Sequence, residues 1–549
     1  MKIALAQLNY HIGNFELNTA KILGAIQQAT EQGADLIVFS ELAICGYPPQ
    51  DLLERSEFID RCIIAINKIA IHSKQTAVLI GGPSLNKGSK GKSLFNSCYF
   101  LAEGKIAAVV NKTLLPTYDV FDEYRYFEPN THFELINYKG MKIAVTICED
   151  LWDEQPQVTP MDREKPYKLS PLEELSKQNP DMIINIAASP FAYTRIQTKQ
   201  DIFSQKAKRY GVPVIYVNQT GGHTELVFEG NSMVFNRQGL LVKRLAGFSE
   251  DIAIADTGIL NKMAPLADLK PDNAELIHDA LICGIKDFFA KTGFTRAVLG
   301  LSGGIDSAIT LVLASRALAP ENVHALLMPS KYSSAHSIDD SVKLATHLGI
   351  THDIISIEPI VNSFHSTLQP FFNEAVDGVT EENIQSRIRA VLLMAYSNKY
   401  GYILLNTSNK SEAAVGYGTL YGDMAGGLSV LGDVYKSKIY ELAGYINRHE
   451  EIIPHNIIEK PPSAELRPNQ KDTDSLPEYS LLDQILYKYI EQQLAPSAII
   501  EAGYNEQLVK KVVQLVNTNE YKRYQTPPML RVSPKAFGIG RRMPIAAKY

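Results

Sequence analysis

Apolar residues along this chain fall into short continuous runs, separated by stretches in which they return every three or four positions. Runs of the first kind suit buried strands, and the second spacing suits helices with one face on a core. In the first half, Lys2–Leu8, Ala34–Ser40, Ala77–Gly81, Ser97–Leu101, Lys105–Asn111, Lys142–Ile147, Met182–Ala187 and Val214–Asn218 predict strands, with a helix around Asn18–Gln32. The alternation stops between Ala253 and Pro271, where prolines and polar residues interrupt the periodicity. It resumes with a helix at Ala274–Thr292, a strand at Val298–Leu301, a helix through Ala308–Ser315, a strand at His324–Pro329 and a helix at Ser334–Ala345. The pattern predicts an α/β protein with domains at 1–260 and 261–549, the second a Rossmann-like doubly wound parallel sheet. A chain of 549 residues is also too long for one ordinary core.

Composition narrows the class of partner. A hydrophobic content of 45% suits packed domains, and a net charge of −6 gives no electrostatic case for nucleic acid. Small molecules are the expected partners. No apolar stretch approaches the roughly 20 residues that span a bilayer, so no membrane association is expected. The first residues, Met1–Asn9, read as a strand rather than a leader. Cys45, Cys62, Cys98, Cys148 and Cys283 are scattered, with no pair at metal-ligand spacing, which suits a reducing cytoplasm. Gly91-Lys92-Ser93 imitates the end of a nucleotide-binding loop, but its first glycine is missing; an exposed hairpin loop is expected there.

Three predicted strands end in residues that carry chemistry: Glu41, Lys112 and Cys148. Singly each has a bland reading; jointly they supply a proton acceptor, a cation and a nucleophile at the strand ends where α/β sheets gather their sites. The combination, with Gly46-Tyr-Pro48 and Lys112-Thr-Leu-Leu-Pro116, resembles the nitrilase (carbon–nitrogen hydrolase) family. That resemblance implies an αββα sandwich in which Cys148 attacks a carboxamide, Glu41 moves the proton and Lys112 steadies the oxyanion. Lys112 and a local turn are expected to favour the thiolate. The segment Tyr118–Phe127 is similar to the glutaminase version of the fold, which implies that Tyr118, Ser189 and Arg195 bind glutamine and that Glu123 supports the centre.

In the second half, Ser302-Gly-Gly-Ile-Asp-Ser307 follows a strand and opens a helix. Gly303 and Gly304 let backbone N–H groups close on an anion, Ser302 and Ser307 add hydroxyls, and Asp306 calls for Mg²⁺ between itself and a phosphate. The loop lacks the lysine of the ordinary nucleotide-binding motif and resembles that of the N-type ATP pyrophosphatases. Glu382–Arg389, Asn406–Glu412, Gly416–Gly427, Lys460–Leu466 and Pro534-Lys535 resemble the NAD synthetase family. By that resemblance Gly300, Leu301, Ser302, Gly303, Gly304, Ile305, Asp306, Ser307 and Thr407 contact ATP, with Lys436 and Ser463 on its phosphate side. Asn383, Glu412 and Lys535 face deamido-NAD⁺, and Asp306 with Glu412 hold Mg²⁺. Leu420 and Pro534 depart from the ammonia-only synthetases, where a lysine and a histidine stand. The glycine-rich 416–474 region is expected to close over substrates as a lid.

Together the resemblances imply a ligase that hydrolyses glutamine and uses the ammonia to convert AMP-activated deamido-NAD⁺ to NAD⁺. They also imply a homo-oligomer, at least a dimer through the second domain. The alternatives are an ammonia-fed synthetase with a non-catalytic nitrilase module, or another amidotransferase built on the same loop.

Overall fold

A computed structural model of the protein describes residues 1–154, 167–267, 272–372 and 378–548. The last residues of the join expected at 264–271 lie outside these. The chain divides into two compact units, Met1–Lys270 and Pro271–Tyr549.

The first unit holds two six-stranded sheets. One runs in the order Asp251–Asp256, Lys2–Gln7, Leu36–Val38, Ala77–Leu85, Leu94–Ala102, Lys105–Asn111, and the other Leu241–Arg244, Met233–Phe235, Val214–Asn218, Met182–Ala187, Met141–Ile147, Ile136–Tyr138. Their facing side chains form one core, in which Leu5, Val38 and Leu79 of the first sheet join Ile143, Val145 and Ile184 of the second. Helices Phe15–Glu31 and Ser56–Ala70 share a separate core with the first sheet, and Arg195–Tyr210 contributes Ile202 and Phe203 to the second sheet's side. This is the αββα sandwich. Strands 2–7, 36–38 and 77–85 run parallel, and 105–111 points the same way because 94–102 is antiparallel to both its neighbours. The ends that deliver Glu41 and Lys112 therefore lie at one edge. Residues 86–93 connect the antiparallel strands 77–85 and 94–102 and are mostly exposed, as expected of a hairpin loop.

The second unit is built on a parallel sheet ordered Thr351–Ile354, Val323–Leu327, Ala297–Gly300, Ile403–Asn406, Leu428–Ser429. Successive strands step outward to 323–327 and 351–354, then the chain returns to 403–406 on the other side of 297–300. That reversal opens a crevice at the carboxyl end of Ala297–Gly300, where ligands of such sheets bind. Helix Ile305–Leu318 is buried along most of its length, its small and polar Ser307, Thr310 and Ser315 included.

The lid expectation fails for most of 416–474. Leu428, Val430, Leu431, Val434, Ile439 and Leu442 are buried, and helix Lys436–Ile446 packs on the helices Asn273–Thr292 and Ile305–Leu318. The glycines there serve close packing. A Cβ on Gly416 would meet the Asn519 side chain at 2.2 Å, and one on Gly426 would meet Asn406 Cβ at 2.9 Å.

Candidate active sites in the two units

Glu41, Lys112 and Cys148 are brought together. Glu41 and Lys112 are fully buried and Cys148 is 5% exposed. The Lys112 ammonium donates to Glu41 Oε1 at 2.7 Å and to both Glu123 oxygens at 2.9 and 2.8 Å. Asn96 Nδ2 donates to Glu41 Oε1 at 2.7 Å and to Glu123 Oε2 at 3.3 Å, Tyr47 donates to Glu123 Oε1 at 2.9 Å, and the Ala188 N–H reaches Glu41 Oε2 at 3.1 Å. Glu41 Oε1 is thus filled, whereas Oε2 keeps a lone pair for a proton. Burial alone would lower the Lys112 pKa, but Glu123 and Glu41 hold it well above the usual lysine range. Burial pushes Glu123 up to about 7, with Lys112 opposing and Glu41 assisting.

The expectation that Lys112 leaves Cys148 as a thiolate is corrected here. Burial raises the thiol well above its ordinary value, Glu41 adds to that, and the opposing pull of Lys112 is outweighed. The resting group is a thiol. All three Lys112 N–H groups already donate to carboxylates.

Cys148 sits at φ +44°, a left-handed conformation costly for a residue with a Cβ. Asp150 holds it there. Its Oδ2 accepts from the Ile147 N–H at 3.1 Å, and its Oδ1 accepts from Thr113 N–H at 3.1 Å and Leu114 N–H at 2.8 Å. One carboxylate therefore ties the turn at Cys148 to the loop after Lys112. Burial pushes Asp150 up to about 7, against those N–H donors.

Tyr118 donates to both oxygens of Glu149 at 3.0 and 3.1 Å, and Tyr167 donates to Glu149 Oε1 at 2.8 Å. Burial raises the Glu149 pKa, while Tyr167, Lys112, Tyr118 and Arg195 pull it back. Ser189 is buried and pinned through its backbone N–H to Asn218 Oδ1 at 2.9 Å; Arg195 begins the helix Arg195–Tyr210 and is half-buried. Asn96, Asp150 and Glu149 escaped the sequence reading. Glu149 and Asp150 directly follow Cys148, which is the one signal that could have singled them out.

In the second unit a cavity of about 280 Å³ lies at the end of Ala297–Gly300 and is lined by Gly300, Leu301, Ser302, Gly304, Ile305, Asp306, Ser307, Thr407, Glu412, Lys436 and Ser463, among others. Gly303, Asn383 and Lys535 do not line it. Gly303 takes φ +79°, and a Cβ there would meet Ser337 O at 2.6 Å. Ser302 and Ser307 share a hydrogen bond at 3.1 Å, the Ser302 N–H donates to Ser307 Oγ at 3.2 Å, and Ser307 Oγ donates to Gly304 O at 2.9 Å, so the hydroxyls shape the loop. Asn383 Oδ1 accepts from Thr419 at 2.6 Å, and the Lys535 carbonyl accepts from buried Lys410 at 2.7 Å.

Asn409 caps the helix Lys410–Val415: its Oδ1 accepts from Glu412 N–H at 2.9 Å, and Glu412 Oε2 accepts from Asn409 N–H at 3.2 Å. This capping box fixes Glu412 at the cavity. Asn409 Nδ2 also donates to Asp306 Oδ1 at 3.0 Å, and Lys436 forms an ion pair with Asp306. Burial and repulsion from Asp306 push Glu412 up to about 8, with Lys436 opposing. Two mutually repelling carboxylates at a phosphate-type loop fit Mg²⁺, which takes one or two carboxylates and completes its shell with water and phosphate. Among the described residues no larger metal-binding cluster occurs.

The sandwich with its buried Glu–Lys–Cys centre defines a carbon–nitrogen hydrolase, and the parallel sheet with its serine–glycine loop defines a nucleotide-binding synthetase fold. Family models agree: carbon-nitrogen hydrolase matches residues 2–162 and NAD synthase matches 277–526. Over 555 residues the chain is 45% identical to the glutamine-dependent NAD⁺ synthetase of Synechocystis sp., covering 100% of this chain and 99% of the relative. The corresponding protein of Acinetobacter baylyi is 41% identical, with 99% and 98% covered. The structure of glutamine-dependent NAD⁺ synthetase from Acinetobacter baumannii in complex with ADP superposes with a TM-score of 0.78 at 38% identity, covering 99% of this chain and 98% of that one. The chain belongs to the glutamine-dependent NAD⁺ synthetase family.

Proposed function

We propose that residues 1–260 hydrolyse glutamine at Cys148 and that residues 261–549 use the ammonia to amidate deamido-NAD⁺, with ATP cleaved to AMP and pyrophosphate. The observation that carries this reading is the closed Glu41–Lys112–Glu123–Asn96 cluster, which leaves one oxygen of Glu41 able to take the thiol proton. In the first half-reaction Cys148 Sγ attacks the amide carbon while Glu41 accepts its proton and passes it to departing ammonia. Glu41 then activates the water that cleaves the thioester. Lys112 shifts one N–H to the oxyanion. Tyr118, Ser189 and Arg195 bind the amino-acid end of glutamine, the guanidinium facing its carboxylate and Glu149 its ammonium.

In the second unit the loop Ser302–Ser307 receives the β- and γ-phosphates of ATP, with Lys436, Thr407 and Ser463 along the nucleotide. Asp306 and Glu412 would hold Mg²⁺, which when bound supplies positive charge to the phosphates. The nicotinate carboxylate of deamido-NAD⁺, with Asn383, Glu412 and Lys535 on its side, attacks the α-phosphorus; ammonia then displaces AMP. Helix Val379–Tyr400 exposes Val391, 67% open to solvent, and this apolar position supports pairing with a second copy. Among the described residues no helix is long and apolar enough to cross a membrane.

The test is NAD⁺ formation from deamido-NAD⁺, ATP and Mg²⁺ with either glutamine or ammonium, for wild type and Cys148→Ala. The variant is expected to lose only the glutamine-fed reaction. Failure of glutamine in the wild type, with ammonium still used, would reduce the first unit to an assembly module.

A further inference from the structure

Three basic side chains line the cavity of the second unit: Arg389, Lys436 and Lys460. Two are already neutralised, Lys436 by Asp306 and Lys460 by Glu465 at 2.5 Å. Arg389 is different. Its Nε donates to the Met328 carbonyl at 3.0 Å, and among the described residues it forms no ion pair. The nearest opposing charges, on Glu465 and Asp423, act on it only at longer range. A guanidinium withdrawn from water without a counter-ion is costly unless a ligand supplies one.

Its placement is equally specific. Arg389 lies on helix Val379–Tyr400, which packs on strands Ala297–Gly300 and Ile403–Asn406, and it is anchored at the end of the neighbouring strand Val323–Leu327. Arg387, two positions earlier, falls on another side of the helix; it is exposed and donates to the Leu420 carbonyl at 3.2 Å. Only Arg389 of this pair faces the crevice. The planar fork leaves its terminal N–H groups available for two oxygens of one anion.

We infer that Arg389 is a substrate-binding residue, receiving a phosphate oxyanion in the crevice beside the serine–glycine loop. This rests on the synthetase reading of the second unit. The oxyanion belongs either to ATP or to the dinucleotide, and the kinetics separate the two. The guanidinium adds the positive charge that Lys436 and Lys460, already paired, supply less readily.

The test uses the full chain with ammonium as nitrogen source, comparing wild type with Arg389→Gln and Arg389→Lys. Apparent KM is measured for ATP and for deamido-NAD⁺ separately, alongside Tm. Loss of a charge-assisted hydrogen bond predicts a rise of about 10- to 100-fold in KM for one substrate in the Gln variant, with Tm nearly unchanged. Partial recovery by Lys is expected, because it restores charge without the fork. A rise confined to ATP assigns the oxyanion to the nucleotide, and one confined to deamido-NAD⁺ assigns it to the dinucleotide. Unchanged KM values and kcat in Arg389→Gln overturn the inference, as does a lowered Tm with unaltered kinetics. A wild type that makes no NAD⁺ would instead overturn the reading beneath it.

Discussion

Replacing Asp150 with Asn tests whether one carboxylate holds the glutaminase centre together. Asp150 accepts three backbone N–H groups, two at Oδ1 from Thr113 and Leu114 and one at Oδ2 from Ile147. Asparagine is nearly the same size but offers one oxygen. The less costly arrangement keeps that oxygen on Thr113 and Leu114 and turns the amide NH₂ toward the Ile147 N–H. One buried donor is then orphaned, which costs about 1–3 kcal/mol. At about 2–4 °C per kcal/mol for a unit of this size, the first unfolding transition should fall by roughly 2–12 °C. Function should suffer more than stability, because the lost bond is the one that fixes the residue before Cys148. A displacement near 1 Å at a nucleophile costs on the order of 10²-fold in rate. The assay is glutamine-fed against ammonium-fed NAD⁺ synthesis, with thermal unfolding followed in parallel. The account expects glutamine-fed kcat/KM to drop by about two orders of magnitude while ammonium-fed synthesis stays within about twofold. Unchanged glutamine use, or equal loss with both nitrogen sources, would refute the reasoning.

Other consequences can be checked as directly. Glu123→Gln removes a carboxyl whose pKa is raised to about 7, so the stability it lends is full below the ordinary carboxylate pKa and is lost as pH rises through 7. Unfolding free energies from urea titrations between pH 4.5 and 8 should decline more in wild type than in the variant, by up to about 3 kcal/mol; parallel curves would contradict this. Gly303→Ala puts a Cβ 2.6 Å from Ser337 O at φ +79°, so the phosphate loop must shift. Its KM for ATP should rise by about tenfold or more, with glutamine hydrolysis intact; an unaltered KM would exclude the loop from the nucleotide site. Val391→Asp puts a charge on the exposed face of helix Val379–Tyr400, where Val391 is 67% exposed. Sedimentation should show dissociation to monomers at concentrations where the wild type stays paired; identical profiles would remove that face from the interface.

The sequence disclosed what local pattern encodes. Strands that end abruptly in Glu41, Lys112 and Cys148 announce both the sheet and the site, because α/β sheets gather such residues at their strand ends. Asn96 is not legible in this way, since it sits inside a strand and its amide acts on Glu41, 55 positions away, and on Glu123, 27 positions away. Arg389 was hidden in the same way: helical spacing shows that it differs in direction from Arg387, but not that a cavity lies beneath it. The glycine-rich 416–474 region misled because glycine serves close packing as well as mobility. The thiol of Cys148 misled because a nearby lysine is visible in sequence and the burial that outweighs it is not.

The most direct measurement follows the nitrogen. Wild-type protein is incubated with deamido-NAD⁺, ATP, Mg²⁺ and glutamine carrying heavy nitrogen in its side-chain amide, in the presence of limiting unlabelled ammonium, and the product is analysed by mass. The account predicts label in most of the NAD⁺ made by the wild type, and only unlabelled NAD⁺ once Cys148 is replaced by Ala. Wild-type NAD⁺ that carries no label would contradict it.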